Sequence, residues 1–65
     1  MLWINGNPME KAIGKTILEV LQSEGYQVER VIAELNEEFI PKAKYESTLL
    51  QEGDVLEVIS FVGGG

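Results

Sequence analysis

The chain has no cysteine and no histidine, and only 5 lysines and arginines stand against 11 aspartates and glutamates. Each shortage removes a class of chemistry. Without cysteine there is no disulfide staple, thiolate zinc site, iron–sulfur cluster or thiol nucleophile. Without histidine the usual hydrolytic triads and imidazole metal sites go as well. A net charge of −6 over 65 residues leaves too few cations to neutralise a phosphate backbone. It argues against nucleic acid and for a basic protein partner. Long apolar runs are missing too. The opening Leu2-Trp3-Ile4 stops at Asn5-Gly6-Asn7-Pro8 with no basic stretch before it, which fits neither a secretion signal nor a membrane span, so the cytoplasm is the expected compartment. What remains is 45% hydrophobic and 25% charged, the composition of a globular domain, and the length allows a single small core.

Local patterns divide the chain into short elements. Leu2-Trp3-Ile4, the turn-forming Asn5-Gly6-Asn7-Pro8 and then Met9-Glu10-Lys11-Ala12 predict a first hairpin. Thr16 and Glu19 have capping-box spacing, and Ile17, Val20, Leu21 and Glu24 follow at helical intervals until Gly25 ends the helix. A helix of about two turns does not persist alone and must lie against a sheet. Strand character resumes from Val28 through Leu35, turns at Asn36-Glu37-Glu38, and returns briefly at Phe39-Ile40-Pro41, where the missing proline N–H confines the piece to an edge or strand end. Tyr45 anchors the polar stretch 42–48 to the core. After a turn at Gln51-Glu52-Gly53-Asp54, residues 55–62 form the most strand-like run, and three glycines follow. This order predicts an α+β domain of two layers, with the first and last strands side by side and parallel, joined by a crossover through the helix.

Alternation then sorts the last strand. Leu56, Val58, Ser60 and Val62 point one way, and Val55, Glu57, Ile59 and Phe61 the other. A carboxylate is costly to bury without a partner, so the Glu57 face points away from the helix and leaves Ile59 and Phe61 near water, joined by Ile32 of the preceding strand. We expect a docking patch of Ile32, Ile59 and Phe61, with Val62 at the edge of the glycine tail. The acidic side chains otherwise read as solvated surface, with no catalytic pair and no metal site among them.

Residues 1–62 are thus expected to form the domain and 63–65 a mobile tail, since glycine contributes least to an ordered fold. Gly63, Gly64 and Gly65 would extend roughly 10 Å beyond it, a thread without side chains that fits a narrow channel. A plain flexible terminus would look the same.

Ala33-Glu34-Leu35-Asn36, Ile40-Pro41-Lys42, Leu50 with Glu52-Gly53-Asp54-Val55-Leu56-Glu57-Val58, and the terminal Phe61-Val62-Gly63-Gly64-Gly65 together resemble the ThiS family, the sulfur carriers of thiamine thiazole synthesis. The similarity runs along essentially the whole chain and is most specific in the Gly-Asp turn leading to a strand that ends in glycines. It implies the ubiquitin-like β-grasp fold, a mixed sheet of four to five strands on one short helix. It also implies a function without catalysis: the carboxylate of Gly65 is adenylated with ATP by a ubiquitin-activating-type adenylyltransferase, converted to a thiocarboxylate with sulfur from a donor protein, and presented to thiazole synthase by a carrier that is a monomer when free and binds no cofactor itself. Two relatives of this chemistry stay open, the small subunit of molybdopterin synthase and a ubiquitin-like protein modifier, as does an adaptor domain with a flexible end.

Overall fold

The computed structural model describes residues 1–61. The first strand, β1 (Trp3–Ile4), turns through Asn5 and Gly6, both at positive φ (51° and 82°), which is the two-residue hairpin geometry whose twist suits antiparallel strands. The chain returns as β2 (Asn7–Pro8), earlier than the expected 9–12 segment. The physical reason is economy of the turn: two residues suffice to reverse the chain, the Met9 N–H closes the pairing on the Leu2 carbonyl at 2.8 Å, and Glu10–Ala12 is left to form a 3-10 turn that buries Ala12.

The helix α1 spans Ile17–Ser23 and buries Ile17, Val20 and Leu21. Its ends are fully provided for. The Thr16 hydroxyl accepts from the Glu19 N–H at 3.1 Å while the Glu19 carboxylate accepts from the Thr16 N–H at 2.8 Å, the reciprocal box anticipated from the sequence. The Ile17 and Leu18 N–H groups, orphaned within the helix, donate to the carbonyls of Thr48 and Tyr45. At the other end Gly25 (φ 84°) lets its own N–H reach the Gln22 carbonyl and the Tyr26 N–H reach that of Leu21. A helix this short is held by these connections and by its buried stripe rather than by propensity.

A 3-10 turn at Val28–Arg30 precedes β3 (Val31–Leu35), so the strand starts three residues later than its apolar character suggested. Asn36 and Glu37, at φ 53° and 69°, make a second two-residue turn, and Glu38, expected within the turn, instead opens β4 (Glu38–Ile40). Pro41 ends that strand, and β4 lies on the sheet edge as its missing N–H requires. The last strand, β5, covers Val55–Ser60. The sheet order is β2-β1-β5-β3-β4, with β1 parallel to β5 and the other pairs antiparallel. The predicted neighbourhood of first and last strands is thus observed, with β5 in the centre.

Two asparagines extend the ladders beyond the strands. Asn5 donates its N–H to the Leu56 carbonyl (2.9 Å), and its side-chain oxygen accepts from the Val58 N–H (2.8 Å). Asn36 does the same with Val55, donating to its carbonyl and accepting from its N–H, while its amide nitrogen donates to Asp54. Short polar side chains that tolerate positive φ can bridge in this way. Between helix and sheet lies one core containing Leu2, Ile4, Leu21, Leu50 and Leu56. Tyr45, 2% exposed, closes it from the long loop, as anticipated.

Candidate functional site

The helix covers one face of the sheet, and among the described residues no element covers the opposite face. Register decides what that face carries. Ile32 lies opposite Ile59, Glu34 opposite Glu57 and Phe39, and Trp3 opposite Val55, and directly opposed residues share a face. Of the inward set Leu56 and Val58 are closed off, at 0% and 7% exposure, while Ser60 at the strand end is exposed; on the other side Ile59 is 49% and Phe61 54% exposed. The orientation derived from Glu57 alone is therefore the observed one.

The face is built in rows. Trp3 and Val55 form one, Ile59 and Ile32 another, and the Glu57–Glu34–Phe39 row lies between them. Phe61 follows Ile59 by one strand period, and its N–H donates to the Arg30 carbonyl at 2.8 Å, so the chain stays tied to the sheet to that point. Beside it a groove of about 430 Å³ runs between β3, β4 and the loop, lined by Ile32, Phe39, Pro41, Tyr45 and Phe61 among others. The three apolar residues singled out from the sequence, Ile32, Ile59 and Phe61, thus come together. Val62 and the tail residues Gly63, Gly64 and Gly65 lie outside the described residues. Sequence reasoning passed over Trp3 and Phe39 as members of the face. The signal for Trp3 was available, because Leu2 and Ile4 on either side of it are the inward pair.

Electrostatics on this face are one-sided. Among the described residues the one ion pair joins the Met1 amino group to Glu52, both exposed, so neither Glu34 nor Glu57 has a basic partner. Elsewhere, Glu19 is held below the ordinary value of 4.5, chiefly by the Thr16 N–H, with the Thr16 hydroxyl and the charge of Lys15 acting in the same sense. That carboxylate caps the helix start. Among the described residues no group of three or more His, Cys, Asp or Glu side chains could hold a metal ion, and no helix is long and apolar enough to cross a membrane.

Comparison with known proteins places this geometry. A family model described as the ThiS family matches residues 2–65. The "Sulfur carrier protein ThiS" of Thermus thermophilus is 38% identical over 65 residues, covering 100% of both chains. A "Thiazole synthase" of Magnetococcus marinus is 36% identical over 62 residues, which make up 95% of this chain but only 19% of that protein. Among solved structures, the crystal structure of the thiamine biosynthesis protein ThiS from Geobacter metallireducens superposes with a TM-score of 0.77 at 31% identity, covering 98% of this chain and 97% of that one. The β-grasp arrangement anticipated from the sequence is shared with that neighbour. By family model, by a relative matched end to end and by fold, the chain belongs to the ThiS family.

Proposed function

We propose that this chain acts through the carboxylate of Gly65, the point at which sulfur is loaded and from which it is delivered. The chain is a sulfur carrier of thiamine biosynthesis and not a catalyst. A carboxylate is a poor electrophile. Adenylation with ATP, carried out on the partner enzyme with release of pyrophosphate, gives an acyl-adenylate whose carbonyl carbon hydrosulfide set free by the donor can attack, expelling AMP. The product is a thiocarboxylate, and the lack of cysteine leaves the terminus as the place for covalent sulfur. Gly63 and Gly64 carry Gly65 into the enzyme's channel, residues 1–62 serve as the handle, and Ile32, Ile59, Phe61 and Val62 dock on the partner. No cofactor stays bound.

The observation that carries this reading is the position of Phe61. The central strand ends one residue earlier, at Ser60, and the described chain stops at Phe61 on the border of the apolar face, beside half-exposed Ile59 and its partly exposed cross-strand partner Ile32. A partner covering that face holds the tail at its own active site. The partners on this reading are a ubiquitin-activating-type adenylyltransferase, a sulfur-donor protein and thiazole synthase. The last is supported by the segment similar to this chain within the Magnetococcus marinus protein of that name. The free chain is a monomer working in the cytoplasm.

Intact mass spectrometry tests the proposal. Incubated with the adenylating enzyme, ATP and a sulfur donor, the chain should gain the mass difference between sulfur and oxygen, and a chain lacking Gly65 should not. Conjugates to lysine in place of that mass gain would instead identify a protein modifier.

A further inference from the structure

Resting on the docking role of the open sheet face, we propose that this face selects a partner that places an arginine side chain across Glu34 and Glu57, with apolar side chains on either side of it. These two glutamates are direct cross-strand neighbours, so their Cβ atoms lie about 4.5–5.5 Å apart on the same face. Like charges directly opposite each other weaken a sheet. Among the described residues no lysine or arginine forms an ion pair with either glutamate, and the sole ion pair is at Met1 and Glu52. The pair also sits between two apolar rows, Trp3 with Val55 and Ile32 with Ile59, where a partner that buries those rows must cover the carboxylates too.

Burying two carboxylates without a counter-charge is costly, so the covering surface has to supply one. A planar guanidinium with five donors suits two adjacent carboxylates better than a single ammonium. The same charge excludes other occupants. A second copy laid face to face would bring four carboxylates together, and an anionic membrane or nucleic acid would be repelled at a chain whose net charge is −6.

The test measures binding of the chain to the adenylating enzyme and to the thiazole synthase of the same organism by titration calorimetry, at low and high sodium chloride. Thermal unfolding of each variant is recorded alongside. Glu34→Gln and Glu57→Gln keep the side-chain shape and remove the charge. Each should weaken binding to at least one enzyme about fivefold, and the double variant roughly tenfold or more with most of the salt dependence gone. Their melting midpoints should stay or rise, because the repulsion is relieved. Ile59→Asp separates this inference from the docking reading beneath it. If the double variant binds like the wild type with the same salt slope while Ile59→Asp binds poorly, the face docks but the carboxylates do not select the partner, and the inference falls. If Ile59→Asp also binds like the wild type, or if the wild type binds neither enzyme, the docking reading falls with it. A lowered midpoint in the double variant matching its loss of binding would assign the two residues to the fold and overturn the proposal as well.

Discussion

At the scale of single residues, the chain relies on side chains that complete backbone hydrogen bonding. Thr16 is the most exposed to test, since its hydroxyl and the Glu19 carboxylate together satisfy two N–H groups of the helix start. Thr16→Ala should cost about 1 kcal/mol. For a domain of this size that lowers the melting midpoint by roughly 4–8 °C, which differential scanning calorimetry reads directly. The pH dependence has a definite sign. Glu19 titrates lower in the folded chain than its ordinary 4.5, mainly because of the Thr16 N–H, so its contribution is present above that value and fades as the pH falls through the lowered one. Glu19→Gln should therefore lower the melting midpoint most at neutral pH, converge with the wild type in acid, and so flatten part of the acid limb of the curve. The capping box was legible because it is a spacing rule acting over three residues. The roles of Asn5 and Asn36 were not, because a side chain that continues a ladder is visible only once the opposite strand, about fifty or twenty residues away, is in place.

At the scale of elements, the two tight turns set the lengths of the strands on either side. The Asn36-Glu37 turn holds a glutamate at φ 69°, where glycine is the favoured residue at the second position. Glu37→Gly should therefore stabilise the hairpin by about 0.5–1 kcal/mol, the relief of left-handed strain outweighing glycine's greater freedom in the unfolded chain. Chemical denaturation would show it as a higher midpoint at constant slope, and a loss of stability would mean that the glutamate side chain supports the turn. Elements with strong periodicity, α1 and β5, were legible in kind and in facing. The return strand of the first hairpin was misplaced, because Met9 to Ala12 is the more strand-like composition while the turn chemistry at Asn5-Gly6 actually places the pairing on Asn7 and Pro8. Local hydrophobicity lost there to turn geometry.

At the scale of the whole molecule, the proposed function assigns folding and sulfur chemistry to different parts of the chain. The buried core runs from Leu2 to Val58, so removing Gly65 should leave the melting curve nearly unchanged while abolishing adenylation, measured as ATP–pyrophosphate exchange by the adenylating enzyme. A large stability loss would show that the tail packs on the domain. Ile59→Asp or Phe61→Asp should weaken binding to that enzyme more than folding, since both side chains are about half exposed. The outward face could be derived from one carboxylate, Glu57, because alternation carries a single orientation along a strand and register carries it to the next. Its full membership could not, since Phe39 joins it only through the pairing of β3 with β4. The parallel arrangement of β1 and β5 has a practical result. Met1 accepts a hydrogen bond from Gly53 just before β5 begins, and the six residues of β5 then run about 20 Å to Ser60, next to Phe61. A fluorophore or affinity handle placed ahead of Met1 therefore emerges at the pole opposite Phe61. The carrier can be immobilised by its amino end with the Phe61 end of the open face still presented to enzymes in solution.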